Sequence, residues 1–407
     1  MKIIQINSVY NSGSTGKIVK DLNEIYHEYN LDSQILFGRG TIKNEDENDK
    51  SIIKFGSFFW IHAFCCRILG FTHVGSYFQT RRLLKILKRE MPDVVHLHNL
   101  HGYYVNFYTL LNYLFNNKIP TVLTMHDEFF ITGKCCYSLN CEKWKASCNK
   151  CEQLKKYPKT IFFDRSNFEF NKKKELFAKS KRLIITPVSN WLRNEAENSQ
   201  IMDKLKMQVV YNGLDTQIFR DSTEFNTSRN DLTSILYINN DLSNKIKGAR
   251  YFFKLCRLLE NSSIKIYFVG DSKEEFTLPD RVINLGKNKK SHELAKCYRM
   301  VDFTLLTSEK ETFSMITAES ICCGTPVIGF KSGAPEEIAP FPYGIFFEYK
   351  DINSICNYLL NYTKKESSKN RIMCEEYGKR HFDKYKMADS YLRVYENLLK
   401  GDFDEKK

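Results

Sequence analysis

Residues 307–327 read TSEKETFSMITAESICCGTPV and contain the features most diagnostic of the architecture. An apolar run that predicts a buried strand ends just before this segment, a loop carries Glu311, and a helix is predicted to begin near Ser314. Gly324 suits the left-handed position at which a helix ends, and Pro326 prevents its continuation. A strand, a loop and a helix in this order are typical of a parallel α/β sheet.

The same alternation of strands and helices extends along the chain on both sides of this segment. A first set of strands is predicted at Ile3–Ile6, Ser33–Phe37, Val94–His98, Thr121–Met125 and Leu183–Pro187. A second set is predicted at Gln208–Tyr211, Ser234–Ile238, Ser263–Gly270, Val282–Leu285, Phe303–Leu306 and Pro326–Gly329. Two Rossmann-like, doubly wound α/β lobes facing a central cleft are therefore expected, with ligands beyond the carboxyl ends of their strands.

The predicted domains are an N-terminal lobe over residues 1–190 and a C-terminal lobe over residues 206–375. A Cys-rich loop, 135–151, belongs to the N-terminal lobe. A final helix over residues 376–400 is expected to return and brace that lobe.

Charge and hydropathy limit the classes of partner. The 407-residue chain has a formal net charge of +13, which favours an anionic partner, although a lysine-rich surface explains the excess equally well. No secretory signal is recognised, and the apolar stretch Phe55–Cys66 is too short to span a bilayer, which needs roughly 20 residues. We expect a cytoplasmic protein with reduced thiols.

The helix that begins near Ser314 has the features of a diphosphate site. Backbone N–H groups of Phe313, Ser314 and Met315 would lie at the helix N-terminus, which attracts anions. Glu311 precedes the helix and suits sugar hydroxyls, whereas Glu319 lies about 12 Å further along and suits the ribose. An ordinary amphipathic helix with two solvated glutamates is the alternative.

Several motifs in this half resemble one enzyme family. The Glu-x7-Glu spacing followed by Cys-Gly-Thr-Pro-Val resembles the donor-binding signature of the glycosyltransferase-4 family. Residues 332–338 (SGAPEEI) resemble its next loop, and residues 212–215 (NGLD) with Phe219 look like its segment opening the second lobe. The resemblance implies a GT-B fold, a C-terminal donor lobe, an N-terminal acceptor lobe and retaining transfer from a nucleotide sugar. It implies no cofactor for catalysis. The Asp-x-Asp motif at Asp402–Asp404 is interpreted as solvated charge in the polar C-terminal tail.

The basic residues of the donor site depart from the family pattern. The family usually has an Arg a few residues before a Lys-Gly pair, and Lys247-Gly248 matches that pair. Residues 241–244 read DLSN and lack the Arg. Lys245 would substitute as a point charge but not as a bidentate fork.

Glycine and histidine motifs mark the N-terminal lobe. Residues 12–17 (SGSTGK) lack the P-loop spacing and fit a strand-to-helix turn, where the resemblance places a Gly-rich loop with Gly16. Residues 96–101 (HLHNLH) are expected to line the cleft rather than bind metal. With Pro92-Asp93, they resemble the family branch of colanic acid biosynthesis glycosyltransferases, which makes bacterial surface polysaccharides.

A second histidine motif, Thr124-Met-His126-Asp127, ends the next strand. The resemblance implies that His126 lies beside the transferred sugar and steadies charge on the glycosyl centre. Asp127 would orient or polarise the imidazole. The family's front-face mechanism, in which the departing phosphate takes the acceptor proton, would follow.

Four cysteines in one short loop are candidates for a metal site. Cys135, Cys141, Cys148 and Cys151 give C-x5-C-x6-C-x2-C, which fits a structural tetrahedral zinc ion. A similar loop occurs in the resembling family branch. Disulfides are the alternative, which the absence of a recognised export signal disfavours.

An aromatic run near basic residues suggests contact with a membrane. Phe58, Phe59, Trp60, Phe64 and Phe71 lie near Arg67, Arg81 and Arg82 in the chain. This patch would rest peripherally on the anionic inner face of the membrane, or instead form a buried aromatic helix.

The resemblance therefore predicts an enzyme with a UDP- or GDP-linked donor and a glycan or lipid-linked acceptor. Two alternatives are an epimerase-like GT-B enzyme and a basic, zinc-containing nucleic-acid-binding protein. No nucleic-acid module is recognised.

Overall fold

The chain forms two α/β units. A computed structural model describes residues 1–42, 46–220, 232–271, 276–287, 290–364 and 367–401. The first unit comprises Met1–Tyr211 with Met387–Lys407, and the second comprises Asn212–Lys386. The first unit thus extends further along the chain than the predicted 1–190. The Asp402–Asp404 motif lies outside the described residues.

The first unit is built on a seven-stranded parallel sheet. Its strands are β1 (Lys2–Val9), β2 (Asp32–Arg39), β3 (Ile52–Lys54), β4 (Val94–Leu97), β5 (Thr121–Met125), β6 (Leu183–Pro187) and β7 (Lys206–Met207). They lie in the order β3-β2-β1-β4-β5-β6-β7. Every residue of β4, β5 and β6 is buried, as expected of parallel strands covered on both faces.

Helices connect these strands and cover the sheet. They are α1 (Gly13–Glu28), α2 (Phe59–Leu69), α3 (Tyr77–Glu90), α4 (Phe107–Asn116), α5 (Ser166–Phe177) and α6 (Asn190–Glu197). Side-chain caps fix two of the helix starts, since Asn106 accepts from the Thr109 amide and Ser189 accepts from the Leu192 amide.

The second unit has a six-stranded parallel sheet. Its strands are β8 (Ser234–Asn239), β9 (Lys265–Gly270), β10 (Val282–Asn284), β11 (Phe303–Leu306), β12 (Val327–Phe330) and β13 (Gly344–Phe347). They lie in the order β10-β9-β8-β11-β12-β13, which repeats the strand order of the first six strands of the first unit. Two Rossmann-like units are therefore present, as the sequence predicted.

Seven helices complete the described part of the second unit. They are α7 (Thr216–Arg220), α8 (Ala249–Leu258), α9 (Ser291–Arg299), α10 (Met315–Cys322), α11 (Pro335–Ile338), α12 (Ile352–Asn361) and α13 (Ser367–Phe382). Tyr237 of β8 stacks on Phe252 of α8 with ring centroids 4.3 Å apart, in the middle of the core.

The predicted C-terminal helix over 376–400 is two helices, α13 and α14 (Lys384–Lys400). Asp383 separates them because the backbone there pairs with Leu214, whose amide donates to Phe382 (2.8 Å) and whose carbonyl accepts from Lys384 (3.0 Å). Further along α14, the Tyr391 hydroxyl lies 3.0 Å from Thr124 Oγ1 of β5, and the Tyr395 hydroxyl lies 2.6 Å from His96 Nδ1 of β4.

One predicted strand of the second set, Gln208–Tyr211, is wrong. The Gln208 amide donates to Ile185 and the Val210 amide donates to Pro187, so this segment continues along β6 in the first unit. Among the helices described, none combines the length and apolarity that crossing a membrane requires.

Candidate active site

The strand order of the second sheet reverses between β8 and β11. The chain proceeds from β8 outward to β9 and β10, and then returns to place β11 on the other side of β8. In open α/β sheets, ligands bind beyond the carboxyl ends of the strands at this switch point. The loops that follow β8 and β11 carry Lys247 and Glu311.

Lys247 and Glu311 form a salt bridge at this switch point. The Lys247 ammonium lies 2.7 Å from Glu311 Oε1. The glutamate is 7% exposed, whereas the lysine side chain is about one-third exposed, at 37%. The sequence therefore identified two residues 64 positions apart that meet in the structure.

Backbone contacts hold the Lys247 turn against the loop after β11. The Thr307 hydroxyl donates to the Lys247 carbonyl (3.0 Å), and the Glu309 amide donates to the Ile246 carbonyl (2.7 Å). Gly248 follows with a φ of +69°, and a Cβ there would collide with the Thr307 carbonyl. Only glycine allows this close approach, so the backbone geometry requires the glycine of the Lys-Gly pair.

The two candidate lysines have different surroundings. Lys245 begins the one-turn helix that Lys247 ends, and its side chain is exposed. Lys247 is half-buried against Glu311. The structure brings Lys247, but not Lys245, into a described contact with the glutamate.

The start of α10 has an unusual backbone. Ser314 adopts a left-handed conformation, with a φ of +74°, and its Oγ accepts from the Thr317 hydroxyl at 2.8 Å and from the Thr317 amide. Phe313 is buried, and its ring packs edge-on against Phe382. Met315 then opens an eight-residue helix whose first turn has no acidic side chain. Its N-terminal amides carry partial positive charge.

Glu319 has a partner that spacing did not predict. The Tyr298 hydroxyl of α9 donates to Glu319 Oε2 at 2.8 Å. Glu319 is half-buried, and it lies just over one helical turn after the start of α10. A tyrosine 21 residues earlier in the chain leaves no local signal from which this bond could be found.

The first sheet has its own switch point between β1 and β4. Gly16 follows β1, but α1 begins at Gly13, so Gly16 lies in the first turn of the helix rather than in the predicted loop. Its carbonyl accepts from the Asn11 amide at 3.1 Å. Gly13 takes the left-handed conformation, with a φ of +62°. The helix begins earlier than predicted because this glycine, not Gly16, makes the turn.

Three histidines follow one another beside the ends of β4 and β5. His98 Nδ1 lies 3.1 Å from His126 Nε2 with the rings stacked, and the His96 ring lies 4.0 Å from that of His98. Burial lowers the pKa of His126 to about 4, against the opposing field of Asp127. Burial also places the pKa values of His96 and His98 well below the usual range. All three imidazoles are therefore neutral at pH 7.

Asp127 makes its direct contact with another histidine. Its Oδ2 lies 2.6 Å from His101 Nε2, while Oδ1 accepts from the Phe129 amide. Burial alone would raise the pKa of Asp127, but the His101 contact holds it below the usual value. His101 Nδ1 lies 3.0 Å from the Tyr157 hydroxyl. Sequence reasoning placed His101 in the cluster but gave it no partner.

Two family models match adjoining parts of the chain. Residues 61–218 match Glycosyltransferase Family 4, and residues 219–381 match Glycosyl transferases group 1. The chain belongs to glycosyltransferase family 4. The Lys247–Glu311 pair and the histidines beside β4 and β5 lie within the matched residues, whereas Gly13 and Gly16 do not.

This glycosyltransferase has relatives in bacteria. It is 25% identical over 354 residues to the colanic acid biosynthesis glycosyl transferase WcaC of Escherichia coli K12, covering 83% of this chain and 85% of the relative. It is 28% identical over 239 residues to N-acetyl-alpha-D-glucosaminyl L-malate synthase of Bacillus anthracis, covering 54% of this chain and 61% of the relative.

Solved structures show that the family 4 chain has a GT-B fold. A glycosyltransferase from Rickettsia africae matches with a TM-score of 0.68 and 15% identity, over 98% of each chain. Anabaena HepE in complex with UDP-glucose matches with a TM-score of 0.63 and 14% identity, over 98% of this chain and 100% of that one.

The Cys-rich loop of this glycosyltransferase lies in the first unit. One small cavity is lined by Cys135, Cys141, Cys148 and Cys151. The Gly133 amide donates to Cys148 Sγ at 3.2 Å, and none of the 13 cysteines, which all lie in the described ranges, forms a disulfide. Among the described residues, only His101, Asp127 and Cys136 place three metal-ligating atoms within 4.8 Å of one another.

The predicted aromatic patch is exposed. Phe58, Phe59, Trp60 and Phe64 each show 45% or more of their surface to solvent. Phe71 is half-buried. The alternative of a buried aromatic helix is therefore wrong for the first four residues, although α2 does bury His62, Ala63 and Cys66 on its opposite face.

Proposed function

We propose that this glycosyltransferase moves a sugar from a UDP- or GDP-linked donor, with retention of configuration, to a glycan or lipid-linked acceptor of bacterial surface polysaccharide. The observation that carries the proposal is the Lys247–Glu311 pair at the switch point of the second sheet, beside the start of α10. A cation and a helix N-terminus together suit the diphosphate of a nucleotide sugar.

The donor site would work by exchange of partners. In this pair, the Lys247 ammonium neutralises the carboxylate of Glu311, which is 7% exposed. A donor diphosphate would take over the ammonium, and Glu311 would then accept hydrogen bonds from sugar hydroxyls. Since a buried carboxylate is costly without partners, sugar binding and phosphate binding at this pair should be coupled.

Two further observations support a nucleotide-sugar donor. HepE of Anabaena, whose fold matches, binds UDP-glucose. Glu319 is held by the Tyr298 hydroxyl in a fixed position on α10, where one of its oxygens suits a ribose hydroxyl. The proposed donor-binding set in the second unit is Lys247, Lys245, Phe313, Ser314, Met315 and Glu319. Gly16, the remaining candidate, lies in the first turn of α1 in the first unit.

His126 would act as a neutral hydrogen-bonding group near the transferred sugar. Its pKa of about 4 keeps the imidazole uncharged in the cytoplasm. A neutral imidazole donates one hydrogen bond without repelling the positive charge that develops at the glycosyl centre. Asp127 would act through His101, which it contacts directly, as well as through its field on His126.

A donor panel with one variant tests this proposal. UDP-, GDP- and ADP-sugars are added to the wild-type chain, and one nucleotide class should raise the melting temperature. Glu311→Ala should abolish transfer while the chain stays folded, whereas Glu260→Ala, at an exposed glutamate after α8, should keep activity. Full turnover by Glu311→Ala would refute the site assignment.

Product analysis separates transfer from related chemistry. Proton NMR of the new linkage should show the anomeric configuration of the donor, whereas inversion would contradict retention. Epimerised sugar nucleotide formed without an acceptor would favour the epimerase-like alternative.

We also propose a structural zinc ion at Cys135, Cys141, Cys148 and Cys151. The donor set fits, because four cysteines line one cavity and the Gly133 amide already donates to the sulfur of one of them. The ion would hold the loop and take no part in transfer. The Cys135 and Cys151 side chains already contact each other through a hydrogen bond, and zinc would bring the other two sulfurs to the same point.

Metal analysis tests the zinc ion. Purified protein should contain about one zinc per chain, and replacement of all four cysteines by Ser should remove it and lower the melting temperature. Cys65→Ser, at a half-buried thiol in α2, is the matched control. Metal-free, fully active protein would reject the proposal, and intact disulfides within the loop would favour the alternative.

A further inference from the structure

An exposed apolar surface made of aromatic side chains lies on the first unit. We name it the aromatic face and define it by Phe58, Trp60, Phe64, Phe78, Phe162 and Phe163, each between 48% and 82% exposed. Contiguous exposed apolar patches on soluble proteins usually mark a binding site. None of these residues belongs to the Lys247–Glu311 pair or to the histidines beside β4 and β5.

Three separate segments are joined into this one surface. The Gln79 side chain at the start of α3 donates to the Ser57 carbonyl, next to the start of α2. At the other end of α2, the Ile161 amide donates to the Arg67 carbonyl at 2.8 Å. These two bonds bring Phe78 and the 161–163 segment to opposite ends of the same helix. The sequence predicted the aromatic residues of and around α2 and the arginines of α3, but neither Phe78 nor the 161–163 segment.

The aromatic face is edged by positive charge and lacks acidic residues over much of its length. From Phe55 to Arg89 the chain contains no Asp or Glu and six basic residues. These basic residues are all exposed: Arg67, Arg81, Arg82, Lys85, Lys88 and Arg89. On α3, Phe78, Arg82, Lys85 and Arg89 follow helical 3–4 spacing and so share one stripe.

Arginine side chains also lie over Phe163 of the aromatic face and over Phe59, next to it in the chain. The Arg39 guanidinium lies 4.7 Å from the Phe59 ring centroid, and that of Arg165 lies 5.5 Å from Phe163. The one carboxylate of the adjoining segment, Asp164, accepts from the Cys151 amide at 2.7 Å and from the Ser166 amide at 2.9 Å. Both of its oxygens therefore accept hydrogen bonds from backbone amides.

We infer that the aromatic face binds the surface of an anionic lipid bilayer. Exposed Phe and Trp side chains suit the boundary between headgroups and acyl chains, and the adjoining cations suit anionic headgroups. A second copy of this chain would bring two surfaces of the same sign together, so charge complementarity favours a lipid surface over self-association. Binding by this face is independent of the identity of the donor and the acceptor.

Vesicle flotation of the full chain tests this inference. The protein should float with vesicles of phosphatidylcholine and phosphatidylglycerol at low salt, and remain unbound with phosphatidylcholine alone. The triple variant Trp60→Ser, Phe64→Ser, Phe78→Ser should lower the partition coefficient about tenfold or more. Phe341→Ser, at a ring that is 85% exposed in the second unit, should leave it within about twofold.

Charge reversal provides an independent arm. Arg81→Glu with Arg82→Glu should weaken flotation about tenfold, whereas Lys254→Glu on exposed α8 surface should not. Melting temperatures of all variants would establish that they fold. Equal flotation of wild-type and both sets of variants would overturn the inference.

Tryptophan fluorescence locates the contact. Trp60 is 61% exposed, whereas Trp144 is buried. Anionic vesicles should shift the emission to shorter wavelength in the wild-type chain but not in Trp60→Phe. A wild-type chain that ignores vesicles, yet sediments as a dimer that the triple variant cannot form, would assign the face to self-association instead.

Discussion

The two units share a strand order but differ in the side chains at the carboxyl ends of their strands. The second unit places an ion pair, Lys247 with Glu311, at the carboxyl ends of β8 and β11. The first unit places His98 and His126 beside β4 and β5, and burial keeps both neutral at pH 7. One architecture thus presents charges that suit an anionic donor and uncharged imidazoles that suit a reacting sugar.

The largest expected effect tests whether the neutral His126 of the first unit contributes to the chemical step. His126→Ala should lower kcat by about 10²- to 10³-fold, because a preorganised hydrogen bond to developing charge is lost. Donor protection in thermal shift should stay nearly unchanged. The control is His292→Ala, at an exposed histidine of the second unit. A matching loss of donor protection would mean that the first unit also contributes to ground-state binding.

The second largest effect is expected from acid, which should destabilise the first unit more than the second. Burial lowers the pKa of His62 to about 4, below its value of 6.5 in the unfolded chain. A folded-state pKa that is depressed gives stability above pH 6.5 that is lost as the pH falls toward 4. For His62 this loss is about 3 kcal/mol, and the buried His126 adds a loss of the same sign.

Hydrogen exchange at pH 7.5 and pH 5 measures this difference. After correction for the intrinsic rate of exchange at each pH, amides of β1, β4 and β5 should show lower protection at pH 5, while the protection of those of β8 and β11 should change less. His62→Gln should reduce the pH dependence of unfolding, even though it removes the bond between His62 and Ser76. Equal acid sensitivity in both sheets would contradict the expected role of the buried histidines.

The same contrast explains how much the sequence could reveal. The parallel strands and the α10 region were predictable because the pattern lies in contiguous residues, and Thr121–Met125 and Phe303–Leu306 match the structure residue for residue. The Asp127–His101 and Glu319–Tyr298 contacts were not predictable, since each joins residues more than 20 positions apart through tertiary packing. Gly16 was misplaced because local spacing does not reveal which glycine makes the turn.

The exposed surface illustrates the same limit. Composition cannot distinguish a buried aromatic helix from a solvent-facing one, because both are rich in Phe and Trp. Burial of His62 on one side of α2 leaves Trp60 and Phe64 on the other. The contribution of residues 161–163 depends on a single backbone bond to Arg67 that no sequence pattern records.

Removal of the Lys247 charge in the second unit should have a moderate effect on the affinity for the donor. Lys247→Met should weaken donor binding by about 10- to 100-fold, since a charge-assisted bond to phosphate is lost. The remaining affinity should depend less on salt than that of the wild type. Lys254→Met is the matched control. Isothermal titration with the preferred nucleotide sugar measures both, and unchanged affinity would leave the diphosphate without its proposed cation.

The smallest expected effect concerns the position of Glu319. Tyr298→Phe removes the hydroxyl that donates to Glu319 Oε2 but keeps the buried ring. We expect the free energy of unfolding to fall by about 1 kcal/mol, the usual contribution of one hydrogen bond. The affinity of the variant for the whole nucleotide sugar should fall no more than about tenfold. Its affinity for a donor with a 2′-deoxyribose should fall less, because that donor lacks the hydroxyl from which Glu319 would accept a hydrogen bond. If both donors lose affinity equally, Tyr298 stabilises the helix and Glu319 does not hold the ribose. Titration of the two donors against wild type and variant distinguishes these outcomes.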